Sequence, residues 1–281
     1  MSRNADLGAY LKSRRGRLRP VDFGLPDESR QRRVPGLRRE EVAQLAGVSV
    51  DYYIRLEQGR DLSPSESVID ALARALRLDE TERAHLYHLL RPVRRPAPAP
   101  ASRDVRPGVR LLLDALERPA FVIGRRLDIL ATNAAARVML ADFDARPERD
   151  RNHARWIFLD AVTRELYEDW DVVARENVAI LRRDLGRYPD DEELRELIEE
   201  LAAGSREFAP MWDDQDVHAR SFGTKRYRHP VAGPMTVHYE AMVLDDADQL
   251  LYVYSVEPGT PSADAMATIV ALAGRGSNDR S

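Results

Sequence analysis

Between Arg39 and Leu56 the chain runs Arg-Glu-Glu-Val-Ala-Gln-Leu-Ala-Gly-Val-Ser-Val-Asp-Tyr-Tyr-Ile-Arg-Leu, and several of these side chains are suited to reading the edges of base pairs. Arg55 can present two donors to guanine O6 and N7, Asp51 can accept from cytosine N4, and Val50 can touch a thymine methyl. Ser49 and Tyr52 share the same expected face, and Tyr52 equally suits packing on a sugar-phosphate backbone. For Arg55 an ion pair with Glu40, Glu41 or Asp51 is the competing role.

Two helices must hold these residues. Ala43 falls where the helices cross at close range, and Gly47 where the chain turns with positive φ, which glycine adopts without steric cost. Val42, Leu45, Ala46, Val48, Tyr53 and Leu56 supply the apolar faces between them. Ser49 is a natural N-cap, and Asp51 lies in the first turn, where the helix dipole favours an anion. The pattern is a helix-turn-helix, with double-stranded DNA as the expected partner; an ordinary helical hairpin is the alternative. Arg38, Arg39 and Arg60 flank the pair and join the expected contacts. Arg30, Arg32 and Arg33 crowd a long loop over Arg19–Gly36, suited to phosphate or a minor groove, or to plain solvation.

The rest of the N-terminal half supports a helical domain. Leu7, Tyr10, Leu11 and Leu18 mark a first helix over Ala5–Leu18 with basic residues around it. Ser63-Pro64-Ser65-Glu66 reads as a capping box that opens a fourth helix, with Val68, Ile69, Leu72, Leu76 and Leu78 inward. A fifth runs from about Asp79 to Leu90. Pro92, Pro96, Pro98 and Pro100 then mark an extended linker. The expected division is a DNA-binding domain over residues 1–92, a linker over 93–104, a second domain over 105–260 and a tail over 261–281.

Composition bounds the function. A length of 281 residues suits two domains, and the absence of cysteine removes disulfides and thiolate metal sites. No run approaches the ~18 apolar residues of a membrane helix, so a cytoplasmic protein without a membrane partner is expected. The net charge of −4 divides unevenly: residues 1–95 hold 19 basic and 14 acidic side chains, a balance of +5, and the remainder 24 and 33, a balance of −9. That asymmetry fits a DNA-facing head on an acidic body.

The second half opens with a helix over Val105–Leu116. Two short strands follow, Ala120–Gly124 and Leu127–Ala131, joined as a hairpin, and then a short helix over Asn133–Leu140. A helical block spans about Arg151 to Ser205. Strands are expected at Lys225–His229, Met235–Leu244 and Leu250–Val256. The odd positions Met235, Val237, Tyr239, Ala241 and Val243 are all uncharged, so they read as one buried face. Two strands, a helical stretch and three antiparallel strands make the order of a PAS domain with an enlarged helical middle.

The head resembles the five-helix, lambda-repressor-like XRE family through Glu40, Glu41, Ala43, Gly47, Val48, Ser49, Arg55, Leu56, Glu57, Gly59, Arg60 and Pro64. Arg39 stands where that family commonly carries a DNA-bracing glutamine, and Tyr53 replaces a branched aliphatic. Over nearly the whole chain, Gly36-Leu-Arg-Arg-Glu-Glu-Val-Ala, Leu56-Glu-Gln-Gly-Arg60, Arg151-Asn152, Phe158-Leu-Asp160, Gly223-Thr-Lys-Arg-Tyr-Arg-His-Pro230 and Glu257-Pro-Gly259 are similar to the MmyB-like regulators. The resemblance implies an XRE head followed by an α+β, PAS-like ligand-binding domain.

The expected ligand contacts are Phe121, Leu130, Met139, Trp156, Trp170, Phe208, Trp212 and Tyr239, with Asn133, Arg151, Asn152, Lys225 and His229 as polar anchors. The expected ligand is small and apolar or amphipathic, and a lipid-like molecule fits that lining. Aromatic residues at helical spacing equally suit a packed core, which would make the domain only a dimerisation or protein-contact module. A homodimer on a pseudo-palindromic operator is expected, because one recognition helix reads too few base pairs. Six scattered histidines form no His-x3-His pair. No Gly-x-Ser-x-Gly, phosphate-cradling loop or dinucleotide fingerprint occurs, so neither an enzyme nor a metal or cofactor site is expected.

Overall fold

The computed structural model describes residues 3–25, 36–60, 63–90, 103–215, 221–244 and 248–278. The chain divides into two compact units. The first holds residues 1–95, 182–192 and 210–218, and the second residues 96–181, 193–209 and 219–281. The first unit thus takes in two segments from later in the chain as well as the N-terminal helices.

In the first unit five helices precede residue 95 among the described residues: α1 (Arg3–Arg17), α2 (Arg39–Ala46), α3 (Val50–Glu57), α4 (Glu66–Ala75) and α5 (Glu80–Leu90). Their apolar stripes close on one core of Leu7, Tyr10, Leu11, Leu37, Val42, Ala43, Tyr53, Leu56, Ile69, Leu72 and Leu86. The α2–α3 turn forms as the sequence requires. Gly47 has φ 66°; its own amide donates to Gln44 O at 3.2 Å and the Val48 amide to Ala43 O at 3.0 Å. Ser49 caps α3 by accepting from the Tyr52 amide at 3.2 Å. Leu45, expected to seal the two helices, is exposed. The cap of α4 also shifts: Ser65, not Ser63, accepts from the Val68 amide at 3.3 Å, leaving Pro64 outside the helix. A reciprocal box opens α5, with the Asp79 amide donating to Glu82 at 3.0 Å and the Glu82 amide to Asp79 at 2.8 Å.

The second unit is built around an antiparallel sheet of β1 (Ala120–Ile123), β2 (Ile129–Thr132), β3 (Phe222–His229), β4 (Gly233–Leu244) and β5 (Gln249–Ser255), in the order β2-β1-β5-β4-β3. This is an α+β, PAS-like fold. The helices outside residues 1–95 are α6 (Pro107–Ala115), α7 (Ala134–Met139), α8 (His153–Leu159), α9 (Val162–Leu166), α10 (Trp170–Arg187), α11 (Glu192–Gly204), α12 (Phe208–Asp213) and α13 (Pro261–Asn278). Strand alternation sends Ala120, Val122 and Leu251 to a cluster with Val109 and Leu113 of α6. The opposite set, Phe121, Tyr252, Tyr254 and Tyr239, is aligned by the pairings Phe121 with Tyr252 and Tyr239 with Tyr254.

Two expectations fail here. The buried alternation of β4 holds from Met235 to Ala241 and breaks at Val243, which is 77 % exposed at the end of the strand. The expected tail is largely α13, because Ala265, Met266, Ile269 and Ala273 form an apolar stripe that is buried. Its first turn is anchored by Ser262, whose hydroxyl accepts from the Thr236 amide at 3.0 Å.

Candidate nucleic-acid interface and ligand-binding face

On α3, Ser49, Val50, Asp51 and Arg55 are exposed, while Tyr53, Leu56 and Glu57 face the core. Tyr52 is half-buried against that core, and the Arg55 guanidinium stands 5.7 Å over its ring. Tyr52 therefore orients Arg55 across the helix surface. Arg60 is exposed just beyond the helix, with its amide bonded to the Arg55 carbonyl at 2.8 Å. Arg38 is half-buried, and its amide donates to Glu41 at 2.6 Å. Arg30, Arg32 and Arg33 lie outside the described residues.

Glu57 organises this surface. Its side chain is 2 % exposed and accepts from Arg15 of α1 at 3.2 and 2.9 Å and from Arg39 of α2 at 3.1 Å. One carboxylate thus ties three helices and fixes Arg39, itself 46 % exposed, at the start of α2. The sequence carried a signal for it: Glu57 lies four residues after Tyr53, on the buried face.

In the second unit an aromatic path crosses the sheet into the helices. Phe121 stacks on Tyr252 at 5.3 Å and meets the edge of Tyr254 at 5.5 Å. Tyr254 neighbours Tyr227 at 6.1 Å, Tyr227 neighbours Tyr167 at 4.7 Å, and Tyr167 neighbours Trp156 at 5.9 Å. Phe143 closes on Trp156 at 5.4 Å, and Tyr239 lies 6.0 Å from Tyr252. Trp170 and Phe208 form a second group through Phe158, at 5.8 and 5.0 Å. Of the other expected apolar contacts, Met139 is buried in α7, whereas Leu130 packs with the α6 cluster on the other set of strand positions. Trp212 belongs to the first unit, beneath the Arg182 guanidinium at 4.1 Å.

Four of the five expected polar anchors are committed to the protein's own backbone, and the fifth, Lys225, is paired with Glu176. Asn133 Nδ2 donates to the carbonyls of Leu116 and Arg118 at 2.9 and 2.7 Å, and its Oδ1 accepts from the amides of Ala120 and Ala136 at 3.1 and 2.9 Å. Asn152 caps α8 by accepting from the Arg155 amide at 3.0 Å. Its Nδ2 donates at 2.8 Å to both Arg126 O and Asp128 Oδ1. Those bonds hold the β1–β2 connection, where Arg126 and Leu127 have φ of 62° and 65°. Arg151 donates to the carbonyls of Arg146 and Asp144 at 3.0 and 2.9 Å. His229 Nδ1 accepts from the amides of Val231 and Ala232 at 3.2 and 3.1 Å, which leaves Nε2 to donate to Val138 O at 3.1 Å.

Other polar groups face the aromatic path. The Tyr227 hydroxyl shares hydrogen bonds with those of Tyr167 and Tyr254, at 3.3 and 3.1 Å. Burial raises all three phenols, so they stay protonated donors. His153 Nδ1 lies 2.8 Å from Asn177 Oδ1, and burial lowers this imidazole to about 4. It is therefore neutral near pH 7, with the proton on Nδ1. Lys225 pairs with Glu176 at 2.8 Å and stands 5.1 Å over Tyr239. The buried Trp156 Nε1 has no hydrogen-bond acceptor among the described residues. The alternation of β3 and β5 could have marked Tyr227, Tyr252 and Tyr254, whereas their meeting with Tyr167 depends on the folded chain. Among the described residues no three His, Asp or Glu side chains gather as metal ligands, and no helix is long and apolar enough to cross a membrane.

Two family models match the chain. One, described as MmyB-like transcription regulator ligand binding domain, matches residues 105–269, more than half of the chain. The other, described as helix-turn-helix domain, matches residues 6–86. No curated protein matches.

Proposed function

For a chain that belongs to the MmyB-like transcription regulators, and so joins a DNA-binding head to a ligand-binding domain, we propose that a small amphipathic molecule binds the second unit and resets how the head engages its operator. The observation that carries this reading is the unpartnered, buried Trp156 N–H on a ring that meets Tyr167, whose hydroxyl bonds with that of Tyr227, which in turn bonds with that of Tyr254. A buried donor without an acceptor costs about 1–3 kcal/mol, and a ligand oxygen would remove that cost. Rings on either side suit an apolar, lipid-like or aromatic body.

The head acts as a homodimer in the cytoplasm, on a pseudo-palindromic operator whose half-sites lie a helical turn of ~34 Å or a multiple apart. The two matched domains are regulatory rather than catalytic in kind. Ligand changes operator affinity only by as much as it prefers one state of the protein over another.

A second reading draws on the ring contacts themselves, which run from 4.7 to 6.1 Å along the path from Phe121 to Trp156 and suit a filled core. On that reading the second unit is a contact module without a ligand. Mass spectrometry of an extract of the purified protein separates the two. A recovered small molecule that alters operator affinity on addition supports the first. An empty extract, with the operator complex unchanged by cell metabolite fractions, supports the second.

A further inference from the structure

We infer that the DNA-reading unit is discontinuous in sequence: residues 182–192 and 210–215 complete it, and Arg182 and Gln215 are positioning residues for α1 and, through α1, for the recognition helix α3. Both segments fall in the same compact unit as α1–α5.

The seam is a set of donors, two of them buried guanidiniums, converging on oxygens of residues 212–215. On α1, Ser13 and Arg17 donate to Asp214 O at 2.9 and 2.5 Å, and Arg14 donates to Gln215 O. The other arm of Arg14 pairs with Glu82 of α5. From α10, Arg182 donates to the Gln215 side-chain oxygen at 2.6 Å and to Trp212 O, and lies over the Trp212 ring. Arg14, Arg182 and Gln215 are all buried. Taking a guanidinium out of water is costly, so the bonds from the terminal nitrogens of Arg14 and Arg182 to residues 212–215 hold that segment in place. Gln215 takes φ 57°, an uncommon conformation for a side chain of its kind, to offer both oxygens to the two arginines.

A second contact supports the seam. At Gly186 of α10 a Cβ would stand 2.7 Å from the His85 ring, so only glycine permits this approach. The same ring meets Tyr10 of α1 edge-on at 4.9 Å.

On its other side α1 reaches the reading surface. Arg15, the residue after Arg14, binds Glu57 at the end of α3. Adjacent residues of α1 therefore face the seam and the recognition helix, and a shift in residues 212–215 is carried to Glu57.

The test uses the full chain with Arg182→Ala and Gln215→Gly, and a duplex enriched by the wild-type protein from a random pool. Glycine suits φ 57°, so Gln215→Gly keeps the backbone and the carbonyl that Arg14 uses, and it decides the matter if Arg182→Ala fails to fold. Both variants are expected to speed amide exchange in α1 and α3. They should also weaken the enriched duplex about tenfold while leaving a random duplex within about twofold. Arg182→Lys should restore part of each loss. Unchanged exchange in α3 with unchanged affinity overturns the inference, as does equal weakening of both duplexes.

Discussion

Arg15 and Glu57 meet through two hydrogen bonds, Nε to Oε2 at 3.2 Å and Nη2 to Oε1 at 2.9 Å, with both side chains buried. The pair joins the first helix to the end of the recognition helix. Arg39 approaches the same carboxylate from the exposed side at 3.1 Å.

Glu57→Gln leaves Arg15 buried without its counter-charge, and such a loss costs about 3–5 kcal/mol. The urea midpoint of the head transition is expected to fall accordingly. Arg39→Ala removes a half-exposed partner and is expected to cost under about 1 kcal/mol of stability. An equal destabilisation by the two changes would show that the buried pair has no special weight.

Arg55→Ala is expected to lose about 1–3 kcal/mol on the enriched operator and to relax sequence preference there. The double change Arg32→Ala, Arg33→Ala should weaken all duplexes alike and make the salt dependence shallower. Titrations on enriched and random duplexes over a salt series measure both. Equal loss on the two duplexes from Arg55→Ala would assign that arginine to the phosphates.

Asn152→Ala removes the cap of α8 and the two bonds that hold the left-handed residues 126 and 127. Each buried group left unpaired costs about 1–3 kcal/mol, so the thermal midpoint should drop and exchange in the β1–β2 connection should rise. Small-molecule content per folded protein is expected to stay unchanged, because the amide is committed to the backbone. Loss of a co-purified molecule at full stability would return Asn152 to the ligand contacts.

Acid is expected to destabilise the protein through two buried histidines. Burial lowers His85 to about 3, with Arg182 nearby adding to the effect, and lowers His153 to about 4 against the hydrogen bond it donates to Asn177. The unfolded chain protonates both near 6.5, so above that pH both states are neutral and no stability depends on them. Below it the unfolded state binds protons that the native state refuses. Stability then falls by up to about 1.4 kcal/mol per pH unit for each histidine, until the native rings titrate near 4 and 3. Chemical denaturation at pH 7, 6 and 5 measures this, and His153→Gln should flatten the slope. An unchanged slope in that variant would place the acid sensitivity elsewhere.

Much of the head was legible because its determinants are local. Gly47 must turn, Ser49 must cap, and Tyr53 and Leu56 must face inward, whatever lies further along the chain. The strands of the second unit were legible for the same reason, since alternation over Met235–Ala241 needs only a period of two. The polar anchors were not. Asn133, Asn152 and His229 have the residue types of ligand contacts, but the carbonyls that engage them come from residues 116, 118, 126 and 138. No local pattern announces such pairings.

The sequence by itself determined most of the helices and strands, most of their apolar faces, and that Val50, Asp51 and Arg55 stand on the exposed side of α3. These follow from backbone periodicity, capping and glycine conformation, which act within a few residues. Only the tertiary structure decided what each buried polar group does. It joined Tyr167 to Tyr227 and Tyr254, bound Glu57 to Arg15 and Arg39, and placed Gln215 between Arg14 and Arg182. Those partners are separated by 18 to 201 positions in the chain. A buried donor or charge must find a partner somewhere in the folded chain, and which partner it finds depends on how all the elements pack at once.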